Sequence, residues 1–317
     1  MATSSAPTTT LPCIVFDYGG GEQQRAATLF SVSDGAHRAC EIDELRDKRS
    51  WPTPHGWVLS WDPETTATFL WNPPRAPAPA PADRIALPPP ASSLRALSGR
   101  PTDAAAGGCT VLLVEPGEST VLWYCHAGGG AAAWTRHEYD LDSYSMPMPD
   151  CDAAWFYYHH SSTHCGVIDF PPAAGPPEFS TAAMEMIWPR VPEGDFMVAA
   201  DMYIVEIDGE LYTVSVFYHG IDFSTVADVG VFRMDFARQE HVRVESIGDR
   251  AILAGSGSHF GGWCPATEFG LLPNSVYSVD KRLHVFDIQL GTEEMLEPCK
   301  HIAAPSRKPF WIIPSHR

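Results

Sequence analysis

The chain has 317 residues, of which 44% are hydrophobic, and its formal net charge is −18 at pH 7. The apolar content excludes an intrinsically disordered chain. The acidity excludes broad binding to nucleic-acid phosphates, which needs a surface of Lys and Arg, and it disfavours attachment to anionic membranes. No apolar run approaches the roughly 20 residues of a membrane helix, so we expect a globular protein with neither a nucleic-acid nor a membrane partner.

The N-terminus and the cysteines indicate the compartment. Residues 1–10, MATSSAPTTT, have neither the basic start nor the apolar core of a secretory signal, and we predict a flexible tail there. A transit peptide is disfavoured because the first arginine, Arg25, follows Asp17 and Glu22. The eight cysteines are scattered without a Cys-x-x-Cys pair, which is typical of a reduced compartment. We therefore expect a cytoplasmic or nuclear protein.

Strand patterns begin at Leu11–Asp17, which is rich in β-branched and aromatic residues, and continue at Thr28–Val32. A candidate third strand is Ala39–Ile42. The intervening Gly19-Gly20-Gly21 is not followed by the GK[ST] and helix of a phosphate-binding loop, so it is interpreted as an ordinary loop.

A Trp-rich pair of strands comes next, at Gly56–Trp61 and Thr68–Trp71. Pro73–Pro81 (PPRAPAPAP) then interrupts the pattern, because proline supplies no backbone donor and favours polyproline II. It predicts a surface loop, with a docking site for a proline-reading domain as the alternative. Later strand patterns lie at Arg84–Leu87, Cys109–Val114, Thr120–Cys125, Ala131–Tyr139, Ala153–His160 and Gly166–Phe170. Residues 171–177 and 186–194 are typical of loops.

The clearest stretch runs from Met202 to Phe286. It opens with alternating apolar residues on both sides of Asp208-Gly209, the strongest short-range signal for a β-hairpin. A second strand pair, 229–236 and 241–246, is followed by an apolar run that stops at Gly255. Residues 275–280 and 283–290 indicate a third hairpin.

Strand pairs thus recur every 40–50 residues with almost no helical period, which is typical of a β-propeller. We count six groups, near residues 11–45, 55–90, 108–145, 150–190, 200–250 and 252–300. The sequence predicts an all-β propeller of about six antiparallel four-stranded blades, forming a single domain over 11–317 and closed by PFWII near the C-terminus. Seven blades is the alternative count, and a jelly roll or sandwich is the alternative fold.

The densest cluster of candidate metal ligands is His159, His160, His164 and Cys165, with Cys151 nearby. His160-x3-His164 has the spacing of half a zinc site, but no second Cys pair completes it. A hairpin loop with polar histidines is the better interpretation, so we predict neither a metal nor a cofactor.

No residue pattern indicates catalysis. In Asp249-Arg250, we expect Asp249 to accept hydrogen bonds from the backbone of its turn and Arg250 to pair within or between blades, rather than to clamp an anion. Gly255-Ser256-Gly257-Ser258 lacks the context of a nucleophile, and no G-x-S-x-G elbow follows a strand. We therefore predict no catalytic residues.

The ten tryptophans are more informative. We expect most of them at strand positions, packed between blades, and one or two exposed as binding anchors that the sequence alone does not identify. The tryptophans in question are Trp57, Trp61, Trp71, Trp123, Trp134, Trp155 and Trp188.

Several segments together resemble the plant DUF295 family, also called the KIB1-4 β-propeller. They are HGWVLSWDPETTATFLWNP, RIALPPP, YIVEIDGELYTV, VFRMDF, VESIGDRAILAG, SVYSVD, LHVFDI and PFWIIP, in that order. WFYYHHSSTHCGVIDF departs from the "GKFYAL"-like hairpin of the family. The resemblance implies a propeller that holds a target protein, as in F-box relatives that act in protein turnover or signalling.

Three functions remain open: a protein-binding propeller, an enzyme with a site in the propeller channel, and a divergent copy without activity. The F-box of such relatives is a helical box rich in Leu. Leu11-Pro12 is followed here by strand and glycine loop, and Ile42–Lys48 is too short a helix candidate to form the box. We therefore expect an unknown protein partner on one propeller face, and no binding to a Skp1-type adaptor.

Overall fold

In the computed structural model, the regular secondary structure is almost entirely β-strand, and the strands form six sheets. The exception among the residues described is one 3₁₀-helix, Thr267–Phe269. The structure describes residues 11–16, 28–40, 42–73, 83–89, 95–96, 109–114, 121–127, 133–138, 150–152, 155–170, 176–190, 197–220, 225–255, 260–279, 282–298 and 309–315. Within these ranges no helix has the length and apolarity to cross a bilayer.

Within the described ranges, twenty-five strands follow one another. The first fifteen are β1 (Cys13–Phe16), β2 (Thr28–Ser31), β3 (Ala36–Ala39), β4 (Arg49–Pro52), β5 (Val58–Trp61), β6 (Thr68–Trp71), β7 (Arg84–Leu87), β8 (Arg95–Ala96), β9 (Cys109–Val114), β10 (Val121–Ala127), β11 (Thr135–Glu138), β12 (Asp150–Asp152), β13 (Trp155–Ser161), β14 (His164–Asp169) and β15 (Glu178–Ala183). The others are β16 (Met197–Ile207), β17 (Glu210–His219), β18 (Thr225–Asp235), β19 (Glu240–Arg243), β20 (Arg250–Gly255), β21 (Phe260–Pro265), β22 (Ser275–Val279), β23 (Leu283–Asp287), β24 (Thr292–Leu296) and β25 (Phe310–Ile312).

Each sheet is one blade of a six-bladed propeller, as predicted. Blades two to five take four consecutive antiparallel strands each, β4–β7, β8–β11, β12–β15 and β16–β19. Blade one joins β25 to β1, β2 and β3. Blade six has the order β21-β20-β22-β23-β24. It therefore has a fifth strand, and β20 and β22 run parallel, with Ala251 opposite Ser275.

The hairpin of β16 and β17 forms where the sequence indicates it. Asp208 and Gly209 have φ of 53° and 83°, so the turn contains two residues in the left-handed region, as a tight hairpin requires. Alternate residues of β16 point to opposite faces: Tyr203, Val205 and Ile207 pack toward blade six, whereas Ile204 packs toward blade four. Both faces are buried, which explains the nearly continuous apolar run.

The hydrophobic core is divided among the six interfaces between neighbouring blades, and one buried cluster fills each interface. The cluster between blades six and one contains fourteen buried residues. Among the described residues, the cluster between blades four and five contains only Cys165, Met184, Ile204 and Met234. Among the described residues, this is the smallest of the six clusters.

The strand near the C-terminus completes blade one. β25 pairs antiparallel with β1, with Cys13 opposite Ile312. Trp311 is fully buried and its Nε1 donates a hydrogen bond to the carbonyl oxygen of Ala254 in blade six, at 2.9 Å. This strand therefore closes the ring, as expected from the PFWII segment.

Some boundaries differ from the prediction. The third strand of blade one is β3 at Ala36–Ala39, not Ala39–Ile42, and residues 43–48 form turns instead of a helix. Three predicted segments lie outside the described residues. They are the 1–10 tail, the Gly19-Gly20-Gly21 loop and nearly all of the proline-rich loop.

Candidate protein-binding site

Residues 184–190, here called the strap, follow β15 and connect blade four to blade five. The backbone N–H of Met184 donates to the carbonyl oxygen of Thr163 in the β13–β14 turn, at 2.8 Å. The next N–H, of Glu185, donates to the carbonyl oxygen of Gln239 in the β18–β19 turn, also at 2.8 Å. His241 Nδ1 lies 2.8 Å from the Glu185 carbonyl oxygen. Since a carbonyl only accepts, Nδ1 carries the hydrogen, and the start of the strap is fixed to both blades.

The other end of the strap is fixed by charge-assisted hydrogen bonds. The Arg190 backbone N–H donates to Asp228 Oδ2 at 2.7 Å. The same carboxylate accepts two hydrogen bonds of 2.9 Å from Arg243. The Asp228 side chain is only 12% exposed and the Arg243 side chain 18%. The Arg190 guanidinium also donates to Glu245 at 2.7 Å, which lowers the pKa of that carboxyl. The strap therefore lies in one position over blade five, held at both ends.

A cavity of about 160 Å³ lies where the strap, blade four and blade five meet. Its wall contains four methionines and few polar groups. The lining residues are Ser161, Ser162, His164, Cys165, Met184, Met186, Ile187, Ala200, Met202, Phe217, Met234 and His241. Half-burial lowers the pKa of His241, so this imidazole is neutral at pH 7.

Three large apolar side chains are exposed around the strap: Met186 at 41%, Trp188 at 68% and Phe236 at 37%. Phe236 follows β18, in the turn that contacts Glu185, and its ring centroid lies 6.0 Å from that of Tyr157 in blade four. We call these three residues the strap patch. Exposed apolar groups concentrated in one place are typical of interaction surfaces.

The described side chains of the histidine cluster, those of His160, His164 and Cys165, are not placed as a set of metal ligands. The rings of His160 and His164 are 6.4 Å apart and nearly perpendicular, and His164 Nδ1 is 3.0 Å from Thr163 Oγ1. Burial raises the pKa of the Cys165 thiol to about 12, which keeps it protonated. The side chains of His159 and Cys151 lie outside the described residues. Within the described part of the chain, no group of three or more His, Cys, Asp or Glu residues is placed to hold a metal ion.

Asp249 and Arg250 connect elements of blades five and six. Asp249 Oδ1 accepts from the backbone N–H and the hydroxyl of Thr267, at 3.0 and 2.6 Å, and these bonds lower the pKa of the Asp249 carboxyl. The sequence suggested that Asp249 accepts hydrogen bonds from its own turn. Its partner is instead Thr267 in the 3₁₀-helix. Arg250 forms an ion pair with Asp208 of blade five and donates to the Ile247 carbonyl oxygen at 2.9 Å.

The tryptophans separate into interblade and surface groups. Trp71 is buried between blades one and two, and Trp57, Trp123 and Trp134 pack between blades two and three. Trp61 is half-buried, and the side chain of Trp155 lies outside the described residues. Trp188 is the most exposed of the described tryptophans, and it lies on the strap, within the segment 186–194 that was predicted to be a loop.

Sequence reasoning missed the cavity methionines. Three of the four lie in different segments, at Met184, Met202 and Met234, and only the fold brings them together. Their only local signal is the run MEMIW at 184–188, which places two methionines and a tryptophan in a segment without strand alternation.

A second, polar depression of about 300 Å³ lies beside blade two and is lined by charged residues of two turns. Asp43 and Arg46 form an exposed ion pair of 3.1 Å there. The backbone N–H groups of Thr65 and Glu64 donate to Asp62 and lower the pKa of its carboxyl. These contacts are those of a capped turn.

Comparison with known proteins gives one family. The KIB1-4 beta-propeller model matches residues 29–296. No curated protein matches the chain. Two of the solved structures to which the chain is similar are matched at low similarity. Dihydro-heme d1 dehydrogenase NirN in complex with DHE is 11% identical, with 94% of this chain and 74% of that chain covered and a TM-score of 0.29. BamB from Moraxella catarrhalis is 14% identical, with 95% and 91% covered and a TM-score of 0.29.

The family model extends from β2 in blade one to β24 in blade six, which is most of the chain. The six-sheet ring agrees with the architecture that the family is named for. The chain therefore belongs to the KIB1-4 β-propeller family.

Proposed function

We propose that this chain is a non-enzymatic protein-binding propeller and that its partner docks on the strap patch. The single observation that carries the proposal is Trp188, a 68% exposed tryptophan on a segment fixed at both ends. Tryptophan is enriched among the residues that dominate binding energy. A segment already held in place loses little conformational entropy when it binds, which leaves more of the contact energy for affinity.

The overall charge supports a partner with basic patches. A net charge of −18 attracts positively charged surfaces and speeds their encounter with the propeller. We place this encounter in the cytoplasm or nucleus. Support comes from Cys13, Cys40, Cys109, Cys125, Cys165 and Cys264, which are free thiols. A fluorescent fusion found in a secretory compartment would contradict this location.

The proposal is tested by affinity purification of the full chain from its native extract, followed by mass spectrometry. The Trp188→Ser variant is compared with Leu290→Ser, which removes a side chain that is 72% exposed on blade six. We expect at least one stoichiometric partner to be lost with Trp188→Ser and retained with Leu290→Ser. Equal capture by wild type and both variants would contradict docking at the strap patch.

We further propose that the propeller holds its target without a Skp1-type adaptor, in protein turnover or signalling. Residues 13–16 form β1, and residues 43–48 form turns, so neither segment supplies the helices of an F-box. A pull-down of the purified chain with a Skp1-type protein should retain none of it. A stoichiometric complex with micromolar or tighter affinity, about 8 kcal/mol of binding energy, would refute this prediction.

A further inference from the structure

The methionine-lined cavity beneath the strap has the size of one large side chain. Its volume is about 160 Å³. An apolar cavity of roughly 150 Å³ in another protein is known to stay dry and to bind benzene. The cavity between blades four and five is therefore large enough for one aromatic ring or one leucine side chain.

The lining selects for an apolar guest. Four thioethers, Ile187 and Phe217 supply most of the wall. Two of the polar groups are already engaged: His241 Nδ1 with the Glu185 carbonyl oxygen, and His164 Nδ1 with the Thr163 hydroxyl. Methionine side chains are flexible and polarizable, and their sulfur atoms make favourable contacts with aromatic rings. A guest ring would gain these contacts without displacing a hydrogen bond of either imidazole.

The cavity is accessible from the surface. Met186 lines it and is 41% exposed, and Ser161 and Ser162 of the β13–β14 turn line it and are exposed. Trp188 lies two residues beyond Met186 and is 68% exposed. A chain that inserts one side chain past Met186 would therefore lie beside the strap, the segment that carries Trp188.

The charges around the strap favour a basic guest. The arginines there are already paired, Arg190 with Glu245 and Arg243 with Asp228. The exposed Glu185 adds a carboxylate to the strap itself. Together with the net charge of −18, this arrangement attracts Lys and Arg and repels acidic residues.

We infer that the cavity receives a single large apolar side chain from an extended, basic segment of the partner protein. The inference rests on the proposed function, because it assigns a binding chemistry to the same strap patch. The strap holds one side of the cavity in a fixed position, and the flexible methionine side chains can adapt to the inserted side chain. The negative charge of the protein favours Lys and Arg on either side of that side chain in the partner segment.

The test is a titration followed by NMR of methionine methyl groups in the full chain. The probe is the peptide acetyl-Lys-Arg-Phe-Lys-Arg-amide, compared with peptides in which Phe is replaced by Ala or the four cations are replaced by Glu. We expect the Phe peptide to shift the methyl signals of Met184, Met186, Met202 and Met234. Met295 on blade six is the internal control and should not shift.

Replacement of Phe by Ala should weaken binding about tenfold or more, because the burial of an aromatic side chain is lost. Replacement of the cations by Glu should weaken it further, and the affinity of the basic peptide should fall with added salt. Equal shifts from all three peptides, or shifts at Met295 alone, would overturn the inference.

A cavity-filling variant separates this inference from the proposed function. Ala200→Leu adds three carbon atoms inside the cavity and leaves the exposed Trp188 unchanged. If the inference holds, Ala200→Leu lowers the affinity for the Phe peptide about tenfold while its melting temperature stays near that of wild type. If a protein partner is lost with Trp188→Ser but binds Ala200→Leu as well as wild type, the cavity inference fails and the proposed function stands. If Ala200→Leu unfolds, the titrations of wild-type protein with the three peptides still test whether the cavity binds an apolar side chain.

Discussion

Replacing glycine by alanine can destabilise the fold in two ways: the new Cβ atom can collide with nearby backbone, or the positive φ angle can be unfavourable for alanine. Two glycines with positive φ allow these two contributions to be separated. Gly255 has φ of 99°, and a Cβ atom there would lie 2.4 Å from the Val279 carbonyl oxygen. Gly209 has φ of 83° with open space around the same position. The difference arises because β20 and β22 are adjacent parallel strands, whereas Gly209 lies in a hairpin turn.

Alanine at either glycine costs about 1–2 kcal/mol of unfolding free energy for the left-handed conformation. We expect Gly255→Ala to cost clearly more, since the Cβ atom collides with backbone that has little room to move. Urea unfolding of both variants measures the two costs. Equal midpoints would show that β22 can shift to relieve the contact.

Asp249 gives a prediction for the dependence of stability on pH. Its hydrogen bonds from Thr267 hold the pKa of the folded carboxyl below the ordinary value of 3.8. Since the folded pKa is lowered, the stabilisation is fully present above about pH 4 and is lost as the pH falls through the folded pKa. Asp249→Asn should therefore reduce the loss of stability between pH 5 and pH 3, measured by thermal unfolding. Glu64→Gln, in an exposed turn, is the control and should leave that loss unchanged.

At the scale of the element, the Arg190 end of the strap is held mainly by one carboxylate, that of Asp228. Asp228 accepts the backbone N–H of Arg190 and both nitrogens of the Arg243 fork, so Asp228→Ala removes three bonds and leaves a largely buried arginine without its carboxylate. We expect a loss of about 2 kcal/mol in unfolding free energy and faster hydrogen exchange in residues 184–190. Glu245→Gln, which alters only an exposed pair, should change neither quantity measurably. Unchanged exchange in Asp228→Ala would mean that the strap is held by its other end.

Local sequence specified some elements well. Asp208-Gly209 predicts its hairpin because both residues tolerate positive φ, and the alternation on either side fixes the register. The parallel pairing of β20 with β22 was not predictable in this way. β21 (FGGWCP) occupies one edge of β20, so β22 pairs with the other edge, and a strand pattern does not state which edge is free.

The candidate site was harder to predict from the sequence than the pairing of the strands. The sequence predicts a loop at 186–194 without identifying which tryptophan is exposed, and hydrogen bonds to residues as distant as Asp228 and His241 decide where that loop lies. The cavity depends on four methionines from three segments that meet between blades four and five. Such long-range arrangements leave no periodic signal in the sequence.

At the scale of the whole molecule, Trp311 connects β25 of blade one to blade six. It is fully buried, it lies opposite Ile14 in β1, and it donates to Ala254 in blade six. Trp311→Ala should cost about 3–5 kcal/mol of unfolding free energy. Because the ring would then open at one interface, we expect a lower unfolding cooperativity as well.

The matched control for Trp311→Ala is Trp188→Ala, which removes the same side chain from the surface. Surface substitutions of this kind usually change stability by less than about 0.5 kcal/mol. Thermal and urea unfolding, each followed by fluorescence and circular dichroism, measure both variants. If the two variants were equally stable, β25 would not be an energetically important part of the closed ring.

The pairing of β25 with β1 also has a consequence for biosynthesis. Domains generally begin to fold from the N-terminus while the ribosome is still translating, but β1 has an unpaired edge until residues 310–312 have been made and released from the exit tunnel. During this interval a strand of four buried residues, CIVF, presents open hydrogen-bonding groups that another nascent chain could pair with. A chaperone that shields this edge during translation would therefore be expected to raise the yield of the native protein.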